Sequence, residues 1–526
     1  MEKGTPNGTT TDTKGNFSLS VAPGATLEFI YLGYITETVE SGNSTVINAV
    51  LKDDLTEMET VVVIGYGEGK KTDLTGTVTN VKMTDIADVP VLSIDQALQG
   101  RIAGADIMST TGEPGAATPI RIRGTRSITA GNEPMIVVDG VLDAVSDLND
   151  INPADIAAIS VLKDASSTAI YGSRGANGVI IVTTKSGVKG RPVVTIRSHV
   201  GFSGLPKGLD RMNATEFARY RNDYAYVATT DNYGEIGEGT PLSKYPYPNP
   251  YGMGEGTDWI KEITRRAPYQ NYSASVAGGS EKTSYFGSFG YSNNQGIIRN
   301  SGLERLTGRF NIDHEFAKWI KLGMRLSYTY RDQKKNTADI SGSSWWSAAM
   351  YLSPTMKPNT NFNELWYGGQ RFNSPLAHIE LRDDLTKGQT MNDALYIEIE
   401  PIKGLKIKDQ GSLYTYHRHD YGYSPSNMPA TESGAGGTAS RTEYRENSLM
   451  NELTIQYTKT FGEDHNMDLL VGHSYQVKKY ENLAMSGKGF LVDANRWNSM
   501  QSIMDRENLS PSSSFSKIQK ESFIFR

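Results

Sequence analysis

The organisation of this chain is decided by one stretch, Asn152–Gly187, whose sequence is NPADIAAISVLKDASSTAIYGSRGANGVIIVTTKSG. It reads as a short helix, a strand, a second helix, a Gly-rich turn and a second strand. Asp164 stands where its carboxylate could cap the helix Ala165–Tyr171, and a glycine follows where that helix must stop. Asn177-Gly178 then turns the chain into Val179–Thr184, a β-branched run typical of a strand. The pattern predicts a compact α/β unit.

Further elements of the same unit are predicted upstream. Ser93 and Gln96 form a capping box for a helix over Ile94–Gln99. Ile120–Arg123 and Met135–Asp139 are short strand candidates on either side of a loop rich in Gly and Asn.

A resemblance to a known family rests on these residues. Asn152–Gly187, together with RIRGTRSITAGNEPMIVVDGV at Arg121–Val141, resembles the plug domain of SusC/RagA-type TonB-linked outer-membrane proteins, in order and almost without gaps across Leu74–Gly187. The resemblance implies a plug inside a transmembrane barrel, with plug arginines that meet acidic residues of the inner barrel wall. Ordinary solvated or locally paired arginines remain the alternative. The candidates for this contact are Arg121, Arg123, Arg126 and Arg174.

Composition limits the class of protein. A chain of 526 residues is too long for one core, and 53 glycines with 28 tyrosines suit strands and turns. No apolar run of about 18 residues occurs, which excludes a helical membrane span and leaves a β-barrel open. The net charge is −6 without a basic patch, so no nucleic-acid partner is expected. The absence of cysteine excludes disulfides and thiolate metal sites.

The first residues resemble a carboxypeptidase-regulatory-like β-sandwich. Its predicted strands are Asn16–Val21, Thr26–Tyr31 and Thr45–Leu51, separated by turn residues. The family has a further strand before the position of Met1, and no signal peptide is visible. We therefore expect a sandwich that is clipped at its N-terminus.

A valine-rich segment, Glu59–Gly67 with the sequence ETVVVIGYG, follows the sandwich. The resemblance implies a TonB box, an extended segment that adds as a strand to the periplasmic domain of TonB. A dinucleotide-binding turn is disfavoured, because the third glycine of Gly65-x-Gly67-x-Gly69 is one position early and the following residues are strand-like. The alternative is an ordinary strand that has no role in binding TonB. The candidate TonB-binding residues are Glu59, Thr60, Val61, Val62 and Val63.

The remainder of the chain alternates with period two. Lys318–Tyr330, KWIKLGMRLSYTY, places apolar side chains on one face over a full membrane-strand length. Short turns alternate with long polar loops, as in an outer-membrane barrel rather than a soluble sandwich. About nine or ten strands are predicted where plugged transporters have about 22, so we expect the first portion of a barrel in a chain truncated at both ends. The other strand candidates are Val193–Ser203, Tyr269–Gly278, Lys282–Ser292, Arg305–Glu315, Met391–Glu400, Leu405–Arg418, Ser448–Lys459 and Asn466–Val477.

No catalytic site, metal site or cofactor is predicted. His417 and His419 share one face of a strand beside Asp420, but a polar strand end accounts for them better than a metal site. The adjacent aspartates Asp53-Asp54 and Asp383-Asp384 have no recognisable base or nucleophile as partner, so solvated turns are favoured.

Aromatic residues are concentrated in the long loop Asp332–Thr390. Flat aromatics in an external loop could stack on sugar rings, or they could form the loop's own small core. The candidates for ligand stacking are Trp345, Trp346, Trp366 and Tyr367.

The fold class predicted is mainly β: an N-terminal β-sandwich, an α/β plug and the first part of a transmembrane antiparallel β-barrel. The domains expected are residues 1–56 (sandwich), 57–69 (TonB box and linker), 70–187 (plug) and 188–526 (N-terminal portion of the barrel).

The resemblance implies a non-enzymatic protein in the outer membrane of a Gram-negative, Bacteroidetes-like cell. It would take up an oligosaccharide or peptide actively, energised by TonB with ExbB and ExbD, and work beside a SusD-like lipoprotein and outer-membrane lipid. A surface glycan-binding protein or adhesin without transport is the alternative, and TonB-dependent signalling is a weaker third.

Overall fold

The structure is a computed structural model of residues 1–526. It describes all residues except 4, 6, 13–14, 31–35, 43–44, 52–60, 65–66, 71–77, 83–92, 110, 130, 146, 209, 228–235, 237, 336–344, 359–364, 368–369, 373–374, 428–436, 462–464, 491 and 504–505. The chain forms two compact units, one of Met1–Ile64 with Glu68–Leu74, the other of Gly65–Gly67 with Thr75–Arg526.

The N-terminal unit contains two small two-stranded sheets in its described part. Strand β1 (Thr26–Phe29) pairs antiparallel with β2 (Glu37–Glu40), and β3 (Val61–Ile64) forms a second sheet with β4 (Gly67–Lys70). The prediction of a strand within Thr26–Tyr31 is confirmed for β1. The predictions for Asn16–Val21 and Thr45–Leu51 are wrong, because these described residues join no ladder. Alternation indicates a two-sided segment, but alternation alone does not make that segment a strand of a sheet.

The plug is an α/β unit built on a five-stranded sheet of order β5-β10-β11-β8-β9. Strands β10 and β11 are antiparallel, and β11 runs parallel to β8. A separate hairpin-like pair is formed by β6 and β7. The elements are β5 (Val78–Lys82), α1 (Ile94–Leu98), β6 (Ala105–Ile107), β7 (Ile120–Ile122), β8 (Met135–Val138), β9 (Val141–Leu142), β10 (Ile156–Leu162), α2 (Ala165–Thr168) and β11 (Val179–Thr184).

The plug core follows from the β-branched strands. Side chains of β10 and β11 are buried on both faces, as expected for central strands that are covered on each side. Helix α1 starts as predicted, with Gln96 N donating to Ser93 Oγ at 3.4 Å. Helix α2 is shorter than predicted, since the chain continues from Ala169 to Asn177 as 3₁₀ turns with a kink at Gly172 (φ 58°). Glycine tolerates that left-handed conformation.

A ten-stranded antiparallel sheet follows the plug, with neighbours in chain order. Its strands are β12 (Gly190–Ser203), β13 (Ala267–Gly279), β14 (Thr283–Gln295), β15 (Gly302–Ala317) and β16 (Ile320–Lys334), then, after β17 (Leu365–Tyr367) and β18 (Gln370–Phe372) in a loop, β19 (Asp383–Ile402), β20 (Leu405–Ser424), β21 (Gly437–Phe461), β22 (His465–Phe490) and β23 (Leu509–Phe525).

All nine segments predicted from period-two alternation lie within or largely within strands of this sheet. The tenth strand, β23, is not among the predicted segments, because its Ser-rich first half lacks alternating apolar residues. Short turns and long connections alternate along the sheet, as the sequence predicts.

The long connections carry the remaining helices: α3 (Ala214–Val227), α4 (Trp259–Ile263), α5 (Trp345–Tyr351) and α6 (Pro375–Leu381). Helices α4, α5 and α6 share a small buried core that includes Trp259, Leu352 and Ile379. Trp259 Nε1 also donates to Ser353 O at 3.1 Å. Two different connections are thereby joined into one packed unit.

None of the helices in the described ranges has the length and apolar character needed to cross a membrane.

Candidate functional site

The plug lies against one face of the ten-stranded sheet, and the side chains of that face are polar. On β15 and β16 the inward side chains alternate with outward apolar ones such as Leu326 and Phe310. A buried polar side chain needs a partner, and here the partners belong to the plug. The inward polar residues that contact the plug are Arg305, Thr307, Arg309 and Asn311 on β15 and Thr329, Arg331 and Gln333 on β16.

Arg331 contacts three residues of the plug. Its Nη1 lies 3.0 Å from Asp147 Oδ2 and 3.3 Å from Asp150 Oδ1. Its Nη2 donates to Gly115 O at 2.8 Å. One guanidinium therefore joins two carboxylates and a loop carbonyl of the plug, which uses the rigid fork of arginine donors.

Asp150 is the centre of the first cluster. Its backbone oxygen accepts from Thr329 Oγ1 at 2.7 Å, and its Oδ2 accepts from Thr390 Oγ1 at 3.0 Å. The neighbouring Asn149 O accepts from Arg305 Nη1 at 2.7 Å. Burial raises the pKa of Asp150, although the charge of Arg331 opposes this shift. Hydrogen bonds and the ion pair with Arg331 thus hold the Asp150 carboxyl at a buried position that disfavours its negative charge.

The local sequence places Asp150 against the sheet. A 3₁₀ turn spans Leu148–Asp150, and Asp147 Oδ1 caps it by accepting from Asn149 N at 2.9 Å. The capping carboxylate and the last residue of the turn both reach Arg331, so a single turn supplies both anions.

A second cluster surrounds Arg309, whose side chain is only 7% exposed. Its Nη1 lies 3.6 Å from Asp139 Oδ2 and its Nε 3.8 Å from Asp155 Oδ2. Burial raises the pKa of Asp155, and Arg309 acts in the opposite direction. Asp155 is placed by the 3₁₀ turn Pro153–Asp155.

Asp139 links this cluster to the last plug strand. Its Oδ1 accepts from Thr184 N at 2.8 Å and its Oδ2 from Thr184 Oγ1 at 2.6 Å. Asn311 of the sheet donates through Nδ2 to the same hydroxyl at 3.0 Å and to Lys185 O at 2.9 Å. Asp139 has φ 51°, a conformation that Asp adopts more readily than most residues. The end of β11 is therefore held by both the plug and the sheet.

The contact with the later strands is sparser. Lys478 Nζ on β22 lies 3.6 Å from Asp143 Oδ2 of the plug and 3.7 Å from Glu446 Oε1 of β21. Met450 and Ala394 of the sheet pack into the apolar clusters of the plug.

The ion pairs have the opposite polarity to the one predicted. Among the described residues, the cations of the plug–sheet ion pairs lie on the sheet and the anions on the plug. Arg123 pairs with Asp164 within the plug, and Asp164 does not cap α2 as predicted. Arg121 and Arg126 are exposed, and Arg126 N donates to Asn132 Oδ1. Arg174 is half-buried between plug and sheet. A contact of Arg121, Arg126 or Arg174 with an acidic wall residue stays a prediction.

The other predicted site residues are only partly placed. Glu59 and Thr60 lie outside the described residues, while Val61, Val62 and Val63 belong to β3. Trp345 and Trp346 belong to α5, and Trp346 packs half-buried against the small core of the loop helices. Trp366 and Tyr367 belong to β17.

The disfavoured metal site is a pair of histidines on a strand. His419 Nδ1 lies 3.8 Å from Glu443 on the neighbouring strand. Across the part of the chain that the structure describes, no group of three or more His, Asp or Glu is arranged to hold a metal ion.

Sequence reasoning missed both the sheet cations and the plug aspartates. A signal existed for each of them. Arg305 and Arg309 on β15 and Arg331 on β16 lie in the polar register of these alternating strands, opposite the apolar face. The plug carries Asp139, Asp143, Asp147, Asp150 and Asp155 within one short stretch.

Two family descriptions match the chain. The TonB-dependent Receptor Plug Domain matches residues 70–179, and the CarboxypepD_reg-like domain matches residues 1–63. These ranges cover most of the plug and most of the N-terminal unit.

Curated relatives match nearly the whole chain. TonB-dependent receptor P26 of Formosa agariphila is 34% identical over 100% of this chain and 52% of the relative. TonB-dependent receptor SusC of Bacteroides thetaiotaomicron is 31% identical over 90% of this chain and 48% of the relative. The chain spans about half the length of the curated relatives it matches.

Solved structures support the same grouping. The RagAB peptide importer in its open-open state matches with a TM-score of 0.74 and 27% identity, over 88% of this chain and 54% of that chain. The ferric citrate transporter FecA matches with a TM-score of 0.52 at 12% identity, over 86% of this chain and 53% of that chain, which shows the fold alone.

A plug packed on a long antiparallel sheet, in a chain that begins with a carboxypeptidase-regulatory-like domain, defines the class of TonB-dependent receptors. Within that class, the chain is similar to SusC over 90% of its length and to the RagAB importer over 88% of its length.

Proposed function

We propose that the protein containing this chain takes up a nutrient, an oligosaccharide or a peptide, by TonB-dependent active transport across the outer membrane. The observation that carries the proposal is the polar contact between plug and sheet. Arg331 and Arg309 hold plug aspartates, and hydroxyl and amide side chains complete the contact.

A contact of this kind suits a plug that is held firmly and yet must move. Each hydrogen bond contributes only about 1 kcal/mol net, because water can replace either partner once the contact opens. An apolar contact of equal size would instead expose apolar surface to the water of the channel. Mechanical force on the plug can therefore part it from the sheet without an added hydrophobic cost.

The segment before the plug supplies the handle for that force. We assign TonB binding to Glu59, Thr60, Val61, Val62 and Val63, because an alternating segment with a free edge is what strand addition requires. ExbB and ExbD would couple TonB to the proton gradient of the inner membrane. No chemical change of the substrate is involved.

Partners and substrate class are inferred from relatives. The RagAB complex is named a peptide importer, and SusC is a related receptor. From these relatives we infer that the protein works with a SusD-like lipoprotein and lies in the outer membrane. Trp345, Trp346, Trp366 and Tyr367 remain proposed contacts for a ligand in the outer loops.

The test is a pair of variants in the full-length protein, assayed for uptake in cells. Val61→Pro with Val63→Pro removes two backbone donors and blocks strand pairing. The matched control, Val61→Thr with Val63→Thr, keeps β-propensity and the donors. We expect uptake to fall to the level of a TonB-deficient strain in the proline variant only. Uptake that persists in the proline variant would contradict the proposal and favour a surface binding protein that does not transport.

A further inference from the structure

A cavity of about 480 Å³ separates the plug from the later strands of the sheet. Its walls include Asp143 and Arg174 of the plug and Glu446, Lys478 and Lys520 of the sheet. Arg174 also borders a neighbouring cavity of about 350 Å³ next to the end of β23. The plug is thus tied tightly to β15 and β16 but leaves open space beside β20–β23.

Arg174 is the unusual residue of this cavity. It lies two residues after the kink at Gly172 in the 3₁₀ segment Ala169–Asn177. Its Nη1 and Nη2 are buried and have no hydrogen-bond partner among the described residues. A guanidinium carries donors in a planar fork that fits a carboxylate, and leaving buried charged donors unpaired is unfavourable.

The surrounding charges leave this cation uncompensated. Lys478 lies between the carboxylates of Asp143 and Glu446, at 3.6 and 3.7 Å. Lys520 interacts electrostatically with Arg174, with the carboxylate of Asp143 and with Lys478, and it has no ion pair within 4.0 Å in the described part of the chain. Three cations therefore share two carboxylates.

The remaining carboxylates of the cavity wall have other partners or lie at its exposed edge. Asp147 pairs with Arg331, and Asp95 Oδ2 accepts from Thr118 N at 3.1 Å. Glu133 is exposed. None of the three forms an ion pair with Arg174 in the described structure.

We propose that this cavity binds a carboxylate group of the transported ligand, with Arg174 as the bidentate donor and Lys520 as the second cation. The inference rests on the proposed transport function and adds the substrate class, an acidic one. Charge-assisted hydrogen bonds to a carboxylate would satisfy both buried donors of Arg174. The carboxylate could come from a uronic acid of an oligosaccharide or from an acidic side chain of a peptide.

The experiment measures equilibrium binding by calorimetry with the full-length protein purified in detergent. One pair of probes is trigalacturonic acid and its neutral methyl ester. The other pair is triglutamate and triglutamine peptide, both with an amidated C-terminus so that only the side chains differ in charge. We expect the acidic member of one pair to bind at least about tenfold more tightly than its neutral partner, and the responding pair identifies the source of the carboxylate.

Three variants locate the site. Arg174→Gln and Lys520→Gln should each abolish most of this tenfold preference. Lys517→Gln, an exposed residue of the same strand on the opposite face, should retain it. Arg174→Lys keeps the charge without the fork and should retain part of it, so a folding defect of Arg174→Gln would not end the test.

The inference is overturned if acidic and neutral probes bind equally, if neither acidic probe binds, or if Arg174→Gln and Lys520→Gln keep the preference. Binding in detergent does not need TonB. A failure of transport would therefore appear only in the uptake assay, separately from a failure of this site.

Discussion

Arg331 of the sheet and Asp150 of the plug lie 3.3 Å apart, and both are buried, with side-chain exposures of 13% and 2%. The two residues are 181 positions apart in the chain. Their pairing is the central tie between plug and sheet.

Arg331→Met is expected to weaken plug docking strongly. It would leave Asp147 and Asp150 buried without their cation, and removing one partner of a buried pair typically costs about 3–5 kcal/mol. The measurement uses a cysteine at Ala144, which is fully buried in the plug of a chain that has no cysteine of its own. The urea concentration at which maleimide labels this cysteine should fall by about 1 M or more.

The control for this experiment is Arg126→Gln in the same background, because Arg126 is exposed on a plug loop. The urea midpoint of maleimide labelling in Arg126→Gln should match that of the parent protein. Equal midpoints for Arg331→Met and Arg126→Gln would show that the pair does not hold the plug.

Asp150→Asn should behave in the opposite way to Arg331→Met. Burial raises the pKa of Asp150 above 3.8, so the folded state favours the protonated carboxyl more than the unfolded state does. The stabilisation from this carboxyl is complete when the pH is below its pKa in the unfolded state. It is lost as the pH rises through its pKa in the folded state. We expect the urea midpoint at neutral pH to change little or to rise in Asp150→Asn.

The pH dependence gives the sharper readout of the same variant. In the parent protein, the contribution of Asp150 to the free energy of unfolding should rise as the pH falls towards 3.8. The variant Asp150→Asn should lack that contribution. Asp155 and Asp95 also have pKa values raised by burial, so part of the dependence should remain. An unchanged profile in Asp150→Asn would contradict the assignment.

Thr184→Val tests the link between Asp139 and Asn311. The substitution keeps the shape but removes the hydroxyl that donates to Asp139 and accepts from Asn311. Leaving two buried polar groups short of a partner is expected to cost about 1–3 kcal/mol. The neighbouring Thr183→Val, at a half-buried position of the same strand, is the matched control, and urea midpoints should separate the two variants.

Gly187→Ala tests how tightly the end of the plug approaches the sheet. A Cβ at Gly187 would lie 2.1 Å from Tyr285 N and 2.6 Å from Ser284 C, both backbone atoms of β14. The backbone would have to shift, so we expect a reduced yield of folded, heat-resistant protein in membranes. Gly204→Ala, where a Cβ meets nothing within 4 Å, should give the parental yield. Equal yields would argue against this close approach.

Elements with strong local signals were predictable from the sequence. The strand Val179–Thr184 has the predicted bounds, because β-branched residues between turn residues favour a buried strand. Lys318–Tyr330 contains most of β16, because apolar and polar residues that alternate over a membrane-strand length are typical of barrel strands. The length of helix α2 was overestimated, since the chain continues after Thr168 as 3₁₀ turns with a kink at Gly172.

The candidate site was less predictable. Arg123 and Asp164 carry the charges that a plug–wall contact would need, yet they pair with each other inside the plug. Arg309 of the sheet and Asp155 of the plug form an ion pair across the two elements. Both pairs consist of an arginine and an aspartate, so residue type alone could not distinguish them.

The sequence by itself determined most of the local elements, their order and the family resemblance, because these follow from periodicity, turn residues and motif order along the chain. The tertiary structure alone decided which charges meet. An ion pair such as Arg331–Asp150 depends on the register of a strand against a plug turn. That register is set by the packing of whole surfaces, in which many weak contacts sum, and no short stretch of sequence contains it.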